Sequence, residues 1–477
     1  MARMDEFDWL TEINRASIVT NLRSGLINHS TAVMAADALR GVVSDVESGK
    51  SPRAKRVILY EPLLIAKAGP EVTVIHAGRS SQDMHSTFRL AMLRSATLDL
   101  METLDGTLDD LALFARKNES TLLPAYTNGV AAQPTTLAHL LSGYIAGFAR
   151  DRERLSEFYI RMNECPMGCT VLNGTGWPLD RNGMSDFLGF DRPRRNAFDA
   201  TQISQVDLPV ELAGIVAAIG LHVGEMIGGI MTQYAQPRPW LLLSEGGDNT
   251  YVSSAMPQKR NPGLLNNPRA EASDAVAAAE GVFLRAHNVV SGMMDGKSAG
   301  KNTGMADTAS SALTKLRRVI AGIVVNRDRA LEELNLDWTA SQNIADVMMQ
   351  EFGIPFREGH HYSSELVTFA RAHEYTPITL PYEDAKSLYE TMVKKEGLSH
   401  IPSNFPFTES AFRSLLDPKS IVEARRSEGG PQKPELDRLF KAAEQSLETD
   451  TAWLESKVKL LRDAEIKLNS AFKALED

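Results

Sequence analysis

Cysteine is nearly missing from this chain: two residues, Cys165 and Cys169, in 477. So low a count excludes a disulfide framework and points to a reducing compartment, so a cytoplasmic location is expected. CPMGC has no further Cys or His set beside it, so no metal site is expected there. Aromatic residues make up 7%, and no sustained apolar–polar alternation runs through the chain, which argues against an all-β fold. Basic charge is in deficit as well. Lys and Arg number 51 against 61 Asp and Glu, a net charge of −10, which argues against nucleic-acid and anionic-membrane partners. The first residues, MARMDEFDWLTEINRAS, carry acids and no apolar core, so no leader is expected.

What is abundant favours helices. The apolar fraction is 43%, enough for a large core. Leu93, Ala96, Leu100, Leu104, Leu108 and Leu111 recur at steps of three and four, and so do Leu137, Leu140, Leu141, Tyr144, Ile145, Phe148 and Leu155. Both patterns predict one buried helix face. A further helix is expected over 307–335. Leu208 to Met231 is long and apolar, but Glu211, His222 and Glu225 are expensive inside a bilayer, so it reads as a helix inside a bundle. RVILYEP and VTVIHAG read as short strands or extended links. Pro/Gly punctuation falls at 166–183, 238–263 and 427–435. These breaks and a prior of about 150 residues per domain give an expected division into 1–88, 89–345 and 346–477.

Three small, polar stretches carry the candidate chemistry. YVSSAMPQKRNP, from Tyr251 to Pro262, puts two serines and a lysine on a loop whose backbone N–H groups attract anions; an ordinary surface turn is the competing reading. HAGRSSQDMHST leads into the Leu93–Leu111 stripe, with Ser86 or Thr87 available as its helix cap. YTNGVAAQPTT leads into the second stripe.

Together these stretches resemble the fumarase/aspartase superfamily and, within it, the argininosuccinate lyase branch. Ser253 to Pro262 is similar to the superfamily's Gly-Ser-Ser-x-Met-Pro-x-Lys-x-Asn-Pro loop. HAGRSSQD resembles the branch's His-Thr-Gly-Arg-Ser-Arg-Asn-Asp, and TNGVAAQP its Thr-His-x-Gln-x-Ala-Gln-Pro. The likeness continues through GTGWPLDR, LGFDRPRRNAFDA, GIPFREGHH and LLDPKSIVEARRSEGG. It implies an all-α, three-domain protomer whose central helices form a homotetrameric bundle, with each site drawn from three chains. It also implies cofactor-free release of fumarate and an amine from an N-substituted aspartate. By motif position, Ser253 would be the base, and Lys259 and Asn261 would bind the carboxylate on which charge develops. Ser80, Ser81, Gln82 and Thr127 would hold the rest of a dicarboxylate or amino-acid substrate, with Ser17 a further contact.

The departures are informative. The family's His is Asn128 and its partner Glu is Asn266, so an ion pair has become two amides, expected to bond each other across a subunit boundary. His85 is then the candidate acid. SSQD is closer to cycloisomerase-like relatives, and the segment that helps hold the guanidino end of argininosuccinate has no clean match; MMDGKSAGKNTG takes its place. There Lys297 and Lys301 would suit an acidic leaving group, against the alternative of a solvated loop. The competing functions are a C–O lyase or cycloisomerase on another polycarboxylate, and a silent, crystallin-like structural protein.

Overall fold

The computed structural model describes residues 3–476, so Met1, Ala2 and Asp477, at the ends of the expected first and third segments, lie outside the described residues. The chain opens with helices α1 (Glu6–Arg23), α2 (His29–Glu47) and α3 (Val57–Ala68), and a 3-10 turn over Pro70–His76. RVILYEP is therefore helix and VTVIHAG a 3-10 turn, not strand. Val57, Tyr60 and Leu64 fall on one buried helix face, and that spacing overrides their β propensity.

Then come α4 (Ser81–Arg116), a hairpin of β1 (Leu122–Thr127) and β2 (Val130–Thr136), α5 (Leu137–Met162), β3 (Glu164–Cys165), α6 (Arg181–Phe187) and β4 (Arg192–Pro193). A π turn over Asp199–Ile203 feeds α7 (Ser204–Tyr234). Three short strands, β5 (Leu241–Leu243), β6 (Tyr251–Val252) and β7 (Arg260–Asn261), precede α8 (Gly263–Ala286) and α9 (Ala299–Gly322). The helix expected over 307–335 is interrupted: β8 (Ile323–Val325) pairs with β5, and α10 (Arg327–Leu336) follows. Three consecutive β-branched residues, Ile323-Val324-Val325, crowd a helix and suit a ladder. The chain closes with α11 (Ser341–Phe352), α12 (Phe356–Ala372), α13 (Tyr382–Glu396), α14 (Glu409–Leu416), α15 (Pro418–Glu423) and the 41-residue α16 (Lys433–Lys473).

Helices α4, α5, α7, α8 and α9 form one bundle, and side-chain contacts fix their directions. Arg3 bridges Asp99 on α4 and Asp307 on α9, and Arg317 on α9 pairs with Asp110 on α4. Both contacts advance together, so α4 and α9 run parallel. Lys297, just before α9, bonds Thr201 and Gln202, just before α7; at the far end Ser244 N–H donates to Gly322 O. Helix α7 is thus parallel to α9. Asp151–His222 and Arg161–Glu211 make α5 antiparallel to α7, and Gly220 against Ala272 with Gly296 against Val206 and Arg285 does the same for α8. The helix containing Leu208–Met231 is long and apolar enough to cross a membrane by composition. Its Glu211 and His222 are instead spent on partners in α5, as a bundle helix requires.

The first predicted stripe holds in full, Leu93, Ala96, Leu100, Leu104, Leu108 and Leu111 all being buried; in the second, Leu137, Leu141, Ile145, Phe148 and Leu155 are buried, while Leu140 and Tyr144 are half-buried against the core. One hydrophobic core runs from α1 through α9 and takes in Phe440, Leu454, Leu468 and Phe472 of α16. A second core spans Trp338 to Ile421. The division into 1–88, 89–345 and 346–477 stays a proposal, with the qualification that α16 packs on the first core.

Candidate active site

One end of the bundle carries the Arg79–Asp83 motif. Gly78 has φ 62°, and a Cβ there would lie 2.6 Å from Leu179 Cδ1, so only glycine suits the turn. Arg79, next in line, is buried; its Nη1 donates to Ser17 Oγ and its Nη2 to Asn14 Oδ1, both at 2.8 Å. Burial pushes its pKa down to about 10. Ser17 is itself buried, and its hydroxyl donates to Ile13 O at 2.8 Å.

Ser80, rather than Ser86 or Thr87, caps α4. Its Oγ accepts from Gln82 N–H at 3.1 Å, and its own N–H donates to Asp83 Oδ1 at 2.7 Å, a capping box. Asp83 Oδ2 also accepts from Gly168 N–H at 3.0 Å, while Thr170 Oγ1 donates to Gly78 O at 2.9 Å. CPMGC is thus a brace for this turn. Burial pushes both its thiols up to about 11, and no cluster of metal-ligating side chains occurs among the described residues. Ser81 and Gln82, in the first turn of α4, are half-buried; no side-chain hydrogen bond of theirs occurs among the described residues.

His85 does not fit the role of acid. Its Nε2 accepts from Val57 N–H at 3.2 Å, so the neutral ring carries its proton on Nδ1. Burial, then the charges of Arg89 and Arg56, push its pKa down to about 4. At neutral pH it serves as a cap for α3. Lys297, a candidate for an acidic leaving group with a solvated loop as the competing reading, is buried; Nζ donates to Gln202 Oε1 at 2.7 Å and Thr201 O at 3.1 Å. Lys301 is exposed.

The opposite end carries the other two motifs. β6 and β7 pair as Tyr251 with Asn261 and Val252 with Arg260, and Ser253–Lys259 closes this hairpin. Ser253 N–H donates to Lys259 O at 3.1 Å, and Lys259 N–H to Met256 O at 3.0 Å. Ser253 Oγ accepts two long hydrogen bonds, from Ala255 N–H at 3.4 Å and Met256 N–H at 3.3 Å. Donors aimed at that oxygen favour its deprotonated form. Asn261 Nδ2 spans the hairpin to Tyr251 O at 3.3 Å. The loop is open in a single chain: Ser254 through Lys259 are exposed, as are Tyr251 and Val252.

Thr127 and Asn128 sit at the tip of the β1–β2 hairpin, both exposed. Thr127 pairs with Val130, and Asn128 and Gly129 have φ 50° and 77°, the signs of a type I′ turn. Asn-Gly suits that turn better than a histidine does, so the first of the two amides has a local reason to be there. Asn266, in the first turns of α8, is also exposed; within the chain the two do not hydrogen-bond.

The chain therefore brings Ser17, Ser80, Ser81 and Gln82 together, and separately gathers Ser253, Lys259 and Asn261. The groups lie far apart. Ser80 and Lys297 stand where α4 and α9 begin; the Ser253 loop stands where α9 ends, 24 residues on, a rise of about 36 Å. Arg79 and Asn14, which anchor the first cluster, were not singled out from sequence, although Arg79 lies within a recognised motif.

Residues 51–276 match the lyase family, and residues 338–423 match the argininosuccinate lyase C-terminal family, the second coinciding with the second core. The chain is 28% identical over 432 residues to argininosuccinate lyase of Haloarcula marismortui, covering 88% of this chain and 81% of that one. It is 26% identical over 439 residues to argininosuccinate lyase of Bartonella bacilliformis, covering 89% and 88%. In fold it superposes on an EDDS lyase with a TM-score of 0.87 at 23% identity, covering 98% of this chain and 92% of that one. It also superposes on 3-carboxy-cis,cis-muconate lactonizing enzyme from Pseudomonas putida, with a TM-score of 0.68 at 18% identity over 94% and 96% of the two chains. Collinear motifs, two family matches and one shared architecture lead to a single assignment: the chain belongs to the fumarase/aspartase superfamily, in its argininosuccinate lyase-like branch, and is a fumarate-releasing carbon–nitrogen lyase.

Proposed function

We propose that this lyase cleaves the C–N bond of an N-substituted aspartate, with Ser253 as base, in sites shared between subunits of a cytoplasmic homotetramer. The observation that carries the assignment of Ser253 is the pair of backbone N–H groups aimed at its Oγ. Serine is a weak base in water, so those donors and exclusion of water on loop closure must together stabilise its alkoxide. The alkoxide takes the proton from the carbon next to one carboxylate, and charge builds on that carboxylate's oxygens. Lys259 and Asn261 are the donors for it. The C–N bond then breaks, its electron pair goes to nitrogen, and fumarate remains.

Nitrogen must leave as an amine without an acid from this chain. Asn128 and Asn266 are amides, and His85 is neutral with its Nε2 occupied. The substrate nitrogen is therefore already protonated, a secondary ammonium, before the bond breaks, and it leaves as a neutral primary amine. Ser80, Ser81, Gln82 and Thr127 bind the substrate's remaining groups; Ser17 acts through Arg79, which it positions. The long rise between the two motif clusters supports a site built from antiparallel copies of the bundle, because antiparallel packing sets the start of one α4 beside the Ser253 loop of another. Ser253→Ala should lower turnover at least about a hundredfold, the low end for a positioned proton acceptor. The reaction is followed in reverse, by consumption of fumarate with a panel of amines. Near-normal turnover by the alanine variant would refute the role of Ser253.

A further inference from the structure

Ser81, His85 and Arg89 fall at i, i+4 and i+8 on α4, and all three are half-buried. They form one accessible stripe leading down from the helix cap. Arg89 lies about 12 Å of helical rise beyond Ser81. Its Nη1 is fully covered yet has no hydrogen-bond partner. Lys297 stands at the same level of the bundle: Arg3 ties Asp99 of α4 to Asp307 of the parallel α9, and ten residues back along each chain lie Arg89 and Lys297, so that the charge of Arg89 acts on Lys297. Its ammonium has only neutral oxygens for partners, the Gln202 side chain and the Thr201 carbonyl, so one of its three donors is free.

The Lys297 loop is built rather than loose. Lys297 N–H donates to Met294 O at 2.9 Å and Asn302 Nδ2 to Gly296 O at 3.0 Å. A Cβ on Gly296 would meet the Val206 side chain at 3.3 Å. Buried cations are ordinarily paired with acids. Among the described residues neither Arg89 nor Lys297 makes an ion pair, and both pKa values fall on burial, to about 10 and about 8, with no carboxylate offsetting the loss. Two desolvated cations without a counter-charge, at the end of an accessible stripe that starts at the substrate motif, are a place for an anion brought by a ligand.

We propose that Arg89 and Lys297 form a carboxylate subsite for the far end of the departing amine, two helical turns beyond the α4 cap. The inference rests on Ser80–Gln82 being the substrate's binding residues, and it narrows the substrate to N-substituted aspartates whose amine carries a carboxylate of its own. Arg89 meets that carboxylate from the open side and Lys297 from behind.

Binding of non-cleavable analogues tests this without turnover: 2-alkylsuccinates of graded chain length, ending either in a carboxylate or in the isosteric primary amide. Calorimetry on the intact oligomer should show the carboxylate-ended series binding at least tenfold tighter at the best length. Arg89→Gln and Lys297→Met should each erase most of that preference without weakening the amide series, and Arg89→Lys should retain part of it. Variants are compared after circular dichroism shows native helix content. Equal binding of the two series by the native protein, or an intact preference in both variants, would overturn the subsite while leaving the lyase site standing. Failure of every analogue to bind would overturn both.

Discussion

The two ends of the bundle are built differently. At the start of α4, Arg79, Ser80 and Asp83 are tied to Ser17, Asn14, Gly168 and one another, and the turn is buried under Leu179. At the other end, the Ser253 loop rests on its own backbone and stands open, with Tyr251, Val252 and Met256 exposed. One end is therefore fixed within each chain. The other has the sparse partners and accessible backbone of a segment that opens locally at low cost. A lyase needs both properties: rigid donors for the substrate, and a loop that admits it and then excludes water.

The contrast can be broken from either side. Gly78→Ala forces a Cβ into Leu179 at a positive φ and should cost about 2–4 kcal/mol of stability, whereas Gly246→Ala, also at positive φ but with open space around it, should cost about 1 kcal/mol. Urea unfolding midpoints decide it; equal losses would mean that the first end is no tighter than the second. A smaller effect is expected at the cap. Ser80→Ala removes the acceptor for Gln82 N–H and should cost about 1 kcal/mol, while Ser253→Ala, severe for turnover, should leave the unfolding midpoint within about 0.5 kcal/mol of the native value.

A further effect of similar size depends on pH. His85 is held near pKa 4 in the fold, against about 6.5 when unfolded. Its contribution is fully present above pH 6.5 and is lost as pH falls through 4, because the unfolded state binds the proton first. His85→Gln, which keeps an acceptor for Val57 N–H, should shrink the stability difference between pH 7 and pH 4.5 by about 1 kcal/mol. An unchanged difference would place that pH dependence elsewhere.

Periodic features were legible from sequence. Leu93–Leu111 and Leu137–Leu155 repeat at helical spacing over several turns, and both are helices of the bundle. The β1–β2 hairpin was not, because Leu122–Thr136 lacks alternation; its signal was the pair Asn128-Gly129, read as a lost histidine rather than as a turn. Ile323-Val324-Val325 was absorbed into a helix because its ladder partner, Leu241–Leu243, lies 80 residues away. The Ser253 and Arg79 motifs were visible as strings. What Arg79 holds, and that Lys297 is buried, depend on elements brought together only by folding: Ser17 and Asn14 from α1, Thr201 and Gln202 from the π turn.

The central claim, that each site joins the fixed end of one chain to the open loop of another, is tested most directly by complementation. Ser253→Ala chains are co-expressed with chains carrying Ser81→Ala and Gln82→Ala together, each variant being inactive alone. Purified mixed oligomers should recover fumarate-consuming activity, because some sites then receive an intact Ser253 loop from one chain and an intact α4 cap from the other. Mixed oligomers as inactive as their parents would contradict the account.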